Sequence, residues 1–507
     1  MRTRMIKRVI ATGLVFTTCL SVCSGTLFGA NVSNTVQAKV VDDDVVTLRV
    51  CNWEEYIDLG DWSEEERIEL ENGVEIFGEQ SMIEDFEDWY LETYGQKVQV
   101  EYSCFGTNED LYNQITLGDK YDLVCPSDYM LMKLIAEDMA VPFSEGFFDT
   151  ADENNYYING VSPYIKQVFE ENTINGEAWS KYAAGYMWGI TGFLYNPAAV
   201  AEKDIKSWDV LVNSKYKRQI TVKDNVRDTY FAILGMLKKD KLLSEAFLSD
   251  PDYTKKLAEE MNDVSTETIA EALTLLQQTR ENVYSFETDS GKSDMVTGKV
   301  VASYQWSGDA VFAMDLADAD GVELSFAVPE ECTNLFFDGW VMLKNGLSED
   351  DRKQHAAEAF VNFVSRPDNA VRNMYYIGYT SVIGGGEDTT MMDYVRYNYE
   401  NTEAENPVEY SVGYFFSGDS DDEDCVIIAD ASQVNRQLFA QYPTEEAIHR
   451  SAIMGYYPAD KNAEINQMWI EMRCFNLNRV PMVVWIIIGA LLVVAILGAV
   501  LHKRSRS

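Results

Sequence analysis

Basic residues are in short supply. The 507-residue chain carries 41 Lys and Arg against 83 Asp and Glu, a formal net charge of −42. That balance argues against nucleic-acid binding, because neutralising phosphates takes lysines and arginines. A field of one sign raises the local concentration of counter-ions, so small cations are compatible partners; the same acidity also serves solubility alone. Histidine is scarcer still, at three residues, and no zinc-ligand spacing occurs. The cysteines outside the N-terminal segment, Cys51, Cys104, Cys125, Cys332, Cys425 and Cys474, are widely spaced and form no C-x-x-C pair. A disulfide framework belongs to much shorter secreted chains; most of these residues read as small buried side chains, with one pairing left open. A nucleophile elbow, a phosphate loop and a metal signature are missing too. The acidic run from Asp419 to Asp424 lacks the glycine and terminal glutamate of a calcium loop. No catalytic residue, metal or cofactor is expected, and no internal repeat or low-complexity linker is visible.

What is present begins with two apolar segments outside the body. Arg2, Arg4, Lys7 and Arg8 precede an apolar run from Val9 to about Val22, and small residues follow, with cleavage possible after Ala30 or Ala38. This is the pattern of a secretory signal peptide, placed at residues 1–38. Residues 481–501 carry no charge and are followed by His502, Lys503, Arg504 and Arg506. About 20 apolar residues span a bilayer, and a basic flank stays cytoplasmic. The expectation is a single-pass protein of the cell membrane. Its body is extracellular or periplasmic, and residues 502–507 form a cytoplasmic tail.

The body reads as alternating strands and helices. Thr47–Trp53 is a strand, and residues 57–80 look like an inserted acidic surface loop or flap. Ser81 and Glu84 form a capping box ahead of a helix with Met82, Ile83, Phe86 and Tyr90 on one face; Gly95 stops it. Val98, Val100 and Tyr102 alternate as a second strand, residues 108–117 read as a helix, and residues 121–125 form a third strand. That β-α-β-α-β order is the signature of a parallel sheet covered by helices. Pro126, Ser127, Asp128 and Tyr129 follow the third strand, where ligands bind in open α/β sheets. Ordinary turn chemistry is the other reading of that stretch. Tyr186–Pro197 suits a strand crossing between lobes, and residues 335–343 recross. Residues 300–306 form another buried strand, residues 384–424 look loop-rich, and residues 447–473 look largely helical.

Taken in order, Asn52-Trp53-Glu54-Glu55-Tyr56, Asn108-Glu109-Asp110-Leu111-Tyr112, Tyr121 to Tyr129, Tyr186-Met187-Trp188-Gly189, Trp306-Ser307-Gly308-Asp309, Arg366-Pro367 and Ile377-Gly378-Tyr379-Thr380 resemble the polyamine-binding proteins of ABC importers. The resemblance runs from about residue 47 to 475. It implies an α/β, two-lobed periplasmic-binding-protein-like fold of type II that closes on putrescine or spermidine and delivers it to the permease and ATPase subunits. The implied division is residues 45–185 for the first part of lobe 1, 186–332 for lobe 2, 333–395 for the return to lobe 1, and 396–478 for a C-terminal helical segment.

The ligand positions implied by the resemblance are Trp53, Glu54, Ser127, Tyr129, Asn225, Asp228, Trp306, Asp309, Phe336, Asp338 and Tyr379. Glu54 stands where the family usually has a hydroxyl, and Asn225 where it has an acid. The chemistry suits the ligand class. Carboxylates hold ammonium groups by charge-assisted hydrogen bonds, while aromatic faces pack on methylenes and attract cations. Two other functions fit the same features. One is a binding protein for another small polar ligand; the other is a surface interaction or sensor domain without a transport role.

Overall fold

The computed structural model describes residues 45–347 and 351–474. The signal-peptide and membrane-span assignments lie outside the described residues. Among those described, no helix is long and apolar enough to cross a membrane.

The chain builds two α/β lobes on one continuous sheet. In the first lobe, strand β1 (Val45–Trp53) leads through helix α1 (Met82–Tyr94) to β2 (Lys97–Phe105), then through α2 (Asn108–Leu117) to β3 (Leu123–Val124) and α3 (Asp128–Ala136). β1 pairs in parallel with both β2 and β3. The expected capping box is formed: Ser81 accepts from the Glu84 N–H, and Gly95 ends α1 with a φ of 68°. The left-handed turn at that position favours glycine, which has no Cβ to clash.

Two long strands carry the chain between lobes. These are β4 (Ala183–Tyr195) and, after the second lobe, its antiparallel partner β9 (Thr333–Leu343). Every residue of both is buried, which is why each reads as a mainly apolar run rather than an alternation; Asp338 on β9 is the charged exception. Between them lie β5 (Ile220–Lys223), α4 (Val226–Leu237), α5 (Thr266–Asn282), β6 (Ser285–Glu287), α6 (Ser290–Val296), β7 (Ala302–Trp306), α7 (Ser307–Ala319) and β8 (Ser325–Ala327). The main strand path is β6–β5–β7–β4–β9–β3–β1–β2. β5 runs parallel to β6 and β7, while β4 and β9 run antiparallel to their neighbours on the path. Helices α8 (Asp351–Ser365) and α9 (Pro367–Ile377) return to the first lobe.

Three stretches differ from the sequence reading. Residues 57–80 are not a free flap. Ile57, Trp62, Ile68, Leu70 and Ile76 are buried, Ile68–Glu69 pairs with Glu75–Ile76, and the buried Asp58 meets Arg372 of α9. High acidity masked an apolar inner face. Residues 384–424 contain helix α10 (Thr390–Tyr399) and β10 (Pro407–Ser411), whose partner β11 (Val426–Asp430) follows directly. Residues 447–473 are helical mainly in α11 (Ala459–Arg473). Before it, Ser451–Ala452 joins β9 as a parallel strand. The C-terminal segment therefore contains strands as well as helices. The six cysteines of the described residues are free thiols, with only Cys104 and Cys474 exposed.

Candidate ligand-binding site

Asp338 sits where β9 passes between the lobes. The β4–β9 register shifts between Asp338 and Gly339, an irregularity of the kind that re-aims side chains at functional sites. Both carboxylate oxygens are held by hydroxyls: Ser127 Oγ donates to Oδ1 at 2.7 Å and Tyr56 Oη donates to Oδ2 at 2.7 Å. Ser127 comes from the turn after β3, so that strand end places a hydroxyl against Asp338. Asp338 forms no ion pair among the described residues. Burial pushes its pKa up to about 6, against the pull of the Ser127 and Tyr56 hydroxyls.

The second carboxylate is Asp309, in the first turn of α7. Tyr379 Oη donates to its Oδ1 at 3.2 Å. Lys223 Nζ lies 3.1 Å from Oδ2 and Lys292 Nζ 3.4 Å from Oδ1. Burial alone would raise the Asp309 pKa; Lys292 and Lys223 outweigh it and hold the carboxyl below its ordinary value. Aromatic contacts connect the two carboxylates. Tyr56 and Tyr379 meet edge-on at 5.0 Å, and Phe336 packs edge-on against Tyr379 at 6.3 Å.

Gly308 is required by this arrangement. A Cβ there would lie 2.1 Å from Cδ2 of Tyr379. Gly308→Ala is expected to push the ring away, break the Tyr379–Asp309 hydrogen bond and destabilise the fold by about 1–3 kcal/mol, the usual cost of overpacking. Urea denaturation measures that loss; unchanged stability would mean that the ring shifts freely.

Trp306 precedes Asp309 by one turn, and its Nε1 donates to Asp228 Oδ1 at 3.4 Å. Burial raises the Asp228 pKa to about 6, against the pull of Lys223 and the Trp306 indole. Trp53, half-buried, packs at 4.6 Å on Phe105 and lines a narrow crevice of about 10 Å³ together with Asn225, Lys223 and Trp306.

Three of the eleven residues are placed differently from the role the resemblance implied. Glu54 is exposed and forms no hydrogen bond with the others among the described residues. Asn225 spends its side-chain oxygen capping α4, accepting from the N–H groups of Arg227 and Asp228. Tyr129 is buried; its hydroxyl reaches Glu109 at 3.3 Å, and the Arg227 guanidinium lies 4.2 Å from its ring centre. The reading missed Tyr56, Lys223 and Lys292. Tyr56 stood inside a quoted motif, next to the strand end. Nothing local marked the lysines, because a basic residue is not sought in a cation site.

A model of the bacterial extracellular solute-binding protein family matches residues 81–389. The putrescine-binding periplasmic protein of Escherichia coli K12 is 26% identical over 286 residues, covering 54% of this chain and 67% of that protein. The spermidine/putrescine-binding periplasmic protein of Salmonella typhimurium is 25% identical over 344 residues, covering 68% of this chain and 78% of that protein. Among solved structures, a Treponema pallidum lipoprotein superposes with a TM-score of 0.55 at 16% identity, covering 84% of this chain and 99% of its own. The spermidine/putrescine substrate-binding protein of Streptococcus pneumoniae gives 0.52 at 21% identity, covering 84% of this chain and 98% of its own. These superpositions agree with the two-lobed fold.

Proposed function

Because the chain belongs to the bacterial extracellular solute-binding proteins, we propose that it captures an aliphatic amine between its lobes and hands it to the permease and ATPase subunits of an ABC importer. Putrescine and spermidine are the amines for which its relatives are named. No catalytic step is involved. The body works outside the cytoplasm, tethered by residues 481–501, and tethering raises its effective concentration at the permease. The observation that carries the reading is Asp338: a buried carboxylate fixed by the hydroxyls of Ser127 and Tyr56, without a basic partner among the described residues, next to Tyr56, Tyr379 and Phe336. A carboxylate so held is oriented for a charge-assisted bond to an ammonium group. The proposed ligand-binding set is Trp53, Ser127, Asp228, Trp306, Asp309, Phe336, Asp338 and Tyr379, with Tyr56 added. Closure of the lobes around ligand follows from site residues lying on both sides of the crossing strands.

Calorimetric titration of the purified chain with a panel of aliphatic amines tests the proposal. Binding is also expected to depend on pH with a definite sign. The folded-state pKa of Asp338 lies above its ordinary 3.8, at about 6. Its contribution to the stability of the ligand-free protein is therefore complete below about pH 4 and lost as pH rises through about 6. An ammonium needs the ionised form, so affinity rises over the same window and falls about tenfold from pH 7 to pH 5. Asp228, with a pKa of about 6, steepens the dependence. An absence of heat with every amine would overturn the proposal and favour a ligand without an ammonium group.

A further inference from the structure

Asp309 and Trp306 form the pair that would seat the far ammonium of a diamine, yet a cation of the protein's own already sits there. The Lys223 Nζ lies 3.9 Å from the centre of the Trp306 ring. It donates to Asp309 Oδ2 at 3.1 Å and to the backbone carbonyl of Thr288 at 2.9 Å. A lysine ammonium has three N–H donors, and a carboxylate, a carbonyl and an aromatic face account for all of them. The Lys223 side chain is 1% exposed, so its charge is not shared with solvent. Lys292 adds a second ammonium on the other oxygen of Asp309. Lys292 also faces Asp289 and Glu55, and Lys223 faces Asp228 and Glu287. Asp309 thus holds two resident lysines, whereas Asp338 holds only hydroxyls.

We infer that Lys223 is a built-in occupant of the distal ammonium seat, so that the site reads one ligand ammonium, at Asp338, and prefers alkylamines whose other end is uncharged. The inference rests on the amine-capture reading and specifies its ligand class. A second ammonium entering the Trp306–Asp309 box meets like charge at contact distance and must displace a fully bonded lysine. Discrimination of this kind works by penalising the wrong ligand rather than by improving the right one. The position explains itself physically. Lys223 is the last residue of β5, and the neighbouring strand β7 ends at Trp306. The end of β5 therefore delivers the lysine side chain to the same carboxyl edge of the sheet that presents the tryptophan.

Titration of the purified full chain with putrescine and with 4-aminobutan-1-ol compares two ligands of equal reach, carrying two ammoniums and one. The wild-type chain is expected to bind the amino alcohol at least tenfold more tightly. Lys223→Met keeps the length and apolar stem while removing the charge; it is expected to raise putrescine affinity at least tenfold and to narrow or reverse the preference for the amino alcohol. Tighter wild-type binding of putrescine would overturn the inference and leave amine capture standing, and this comparison needs no variant to fold. A folded Lys223→Met variant with unchanged putrescine affinity would overturn it as well. Failure of both compounds to bind the wild-type chain would overturn the inference together with the amine reading.

Discussion

Asp338→Asn is expected to cost about 2–5 kcal/mol of amine binding, the range for removing one partner of a buried, hydrogen-bonded charge pair, or roughly thirtyfold to several thousandfold in Kd. The substitution is close to isosteric. The amide oxygen can still accept from one of the two hydroxyls, Ser127 or Tyr56, that hold the carboxylate at 2.7 Å. What disappears is the negative charge facing the ligand. In the ligand-free protein the same change relieves a cost, since burial penalises the ionised form and, against the pull of the two hydroxyls, raises its pKa to about 6. The variant should therefore melt no lower than the wild type at pH 7 while losing the ligand. Calorimetry with thermal denaturation separates the two effects. Full retention of amine affinity would remove Asp338 from the site.

Arg372→Met is expected to lower the unfolding free energy by about 3–5 kcal/mol, because breaking a buried ion pair leaves an uncompensated charge behind. Arg372 lies on α9 with its side chain 5% exposed, and the Asp58 side chain is 0% exposed. The guanidinium binds Asp58, Asp85 and the backbone carbonyl of Gln80. Asp58 in turn accepts from the Trp62 indole at 2.9 Å and from the Gly60 N–H at 3.2 Å. One arginine thus ties residues 57–80 to the return helix of the first lobe. Double substitution with Asp58→Asn should recover part of the loss, since it removes the stranded charge. Chemical denaturation of the single and double variants measures both numbers; additive effects would show that the two groups act independently.

The strand-and-helix order of the first lobe was legible because its signals are local. The Ser81–Glu84 box, Gly95 and the alternation of β2 each depend on side chains a few residues apart. The crossing strands were legible for a different reason: burial on both faces leaves few polar positions, and Tyr186–Tyr195 and Leu335–Leu343 show none of the helical period. Residues 57–80 misled, because acidic side chains outnumber the few apolar ones that anchor the segment. The C-terminal stretch misled because a two-residue strand pairing with Thr333 and Asn334 has no pattern of its own.

The candidate site divides along the same line. Ser127, Asp309, Phe336, Asp338 and Tyr379 could be listed from the sequence because the resemblance to polyamine-binding proteins implies them. Which groups they hold could not. Asp338 has no basic partner among the described residues, whereas Asp309 binds Lys223 and Lys292, 86 and 17 residues away in the chain. Asn225, listed as a ligand position, also caps α4 with its side-chain oxygen, because the two N–H groups at the start of that helix lie within its reach. By itself the sequence determined the balance of charge, the alternating elements and the residue types gathered at strand ends, since these follow from composition and short-range order. The tertiary structure alone decided which buried carboxylates are left without a cation of the protein's own. That choice depends on pairings between distant residues, and a buried charge is available only when no cation of the protein reaches it.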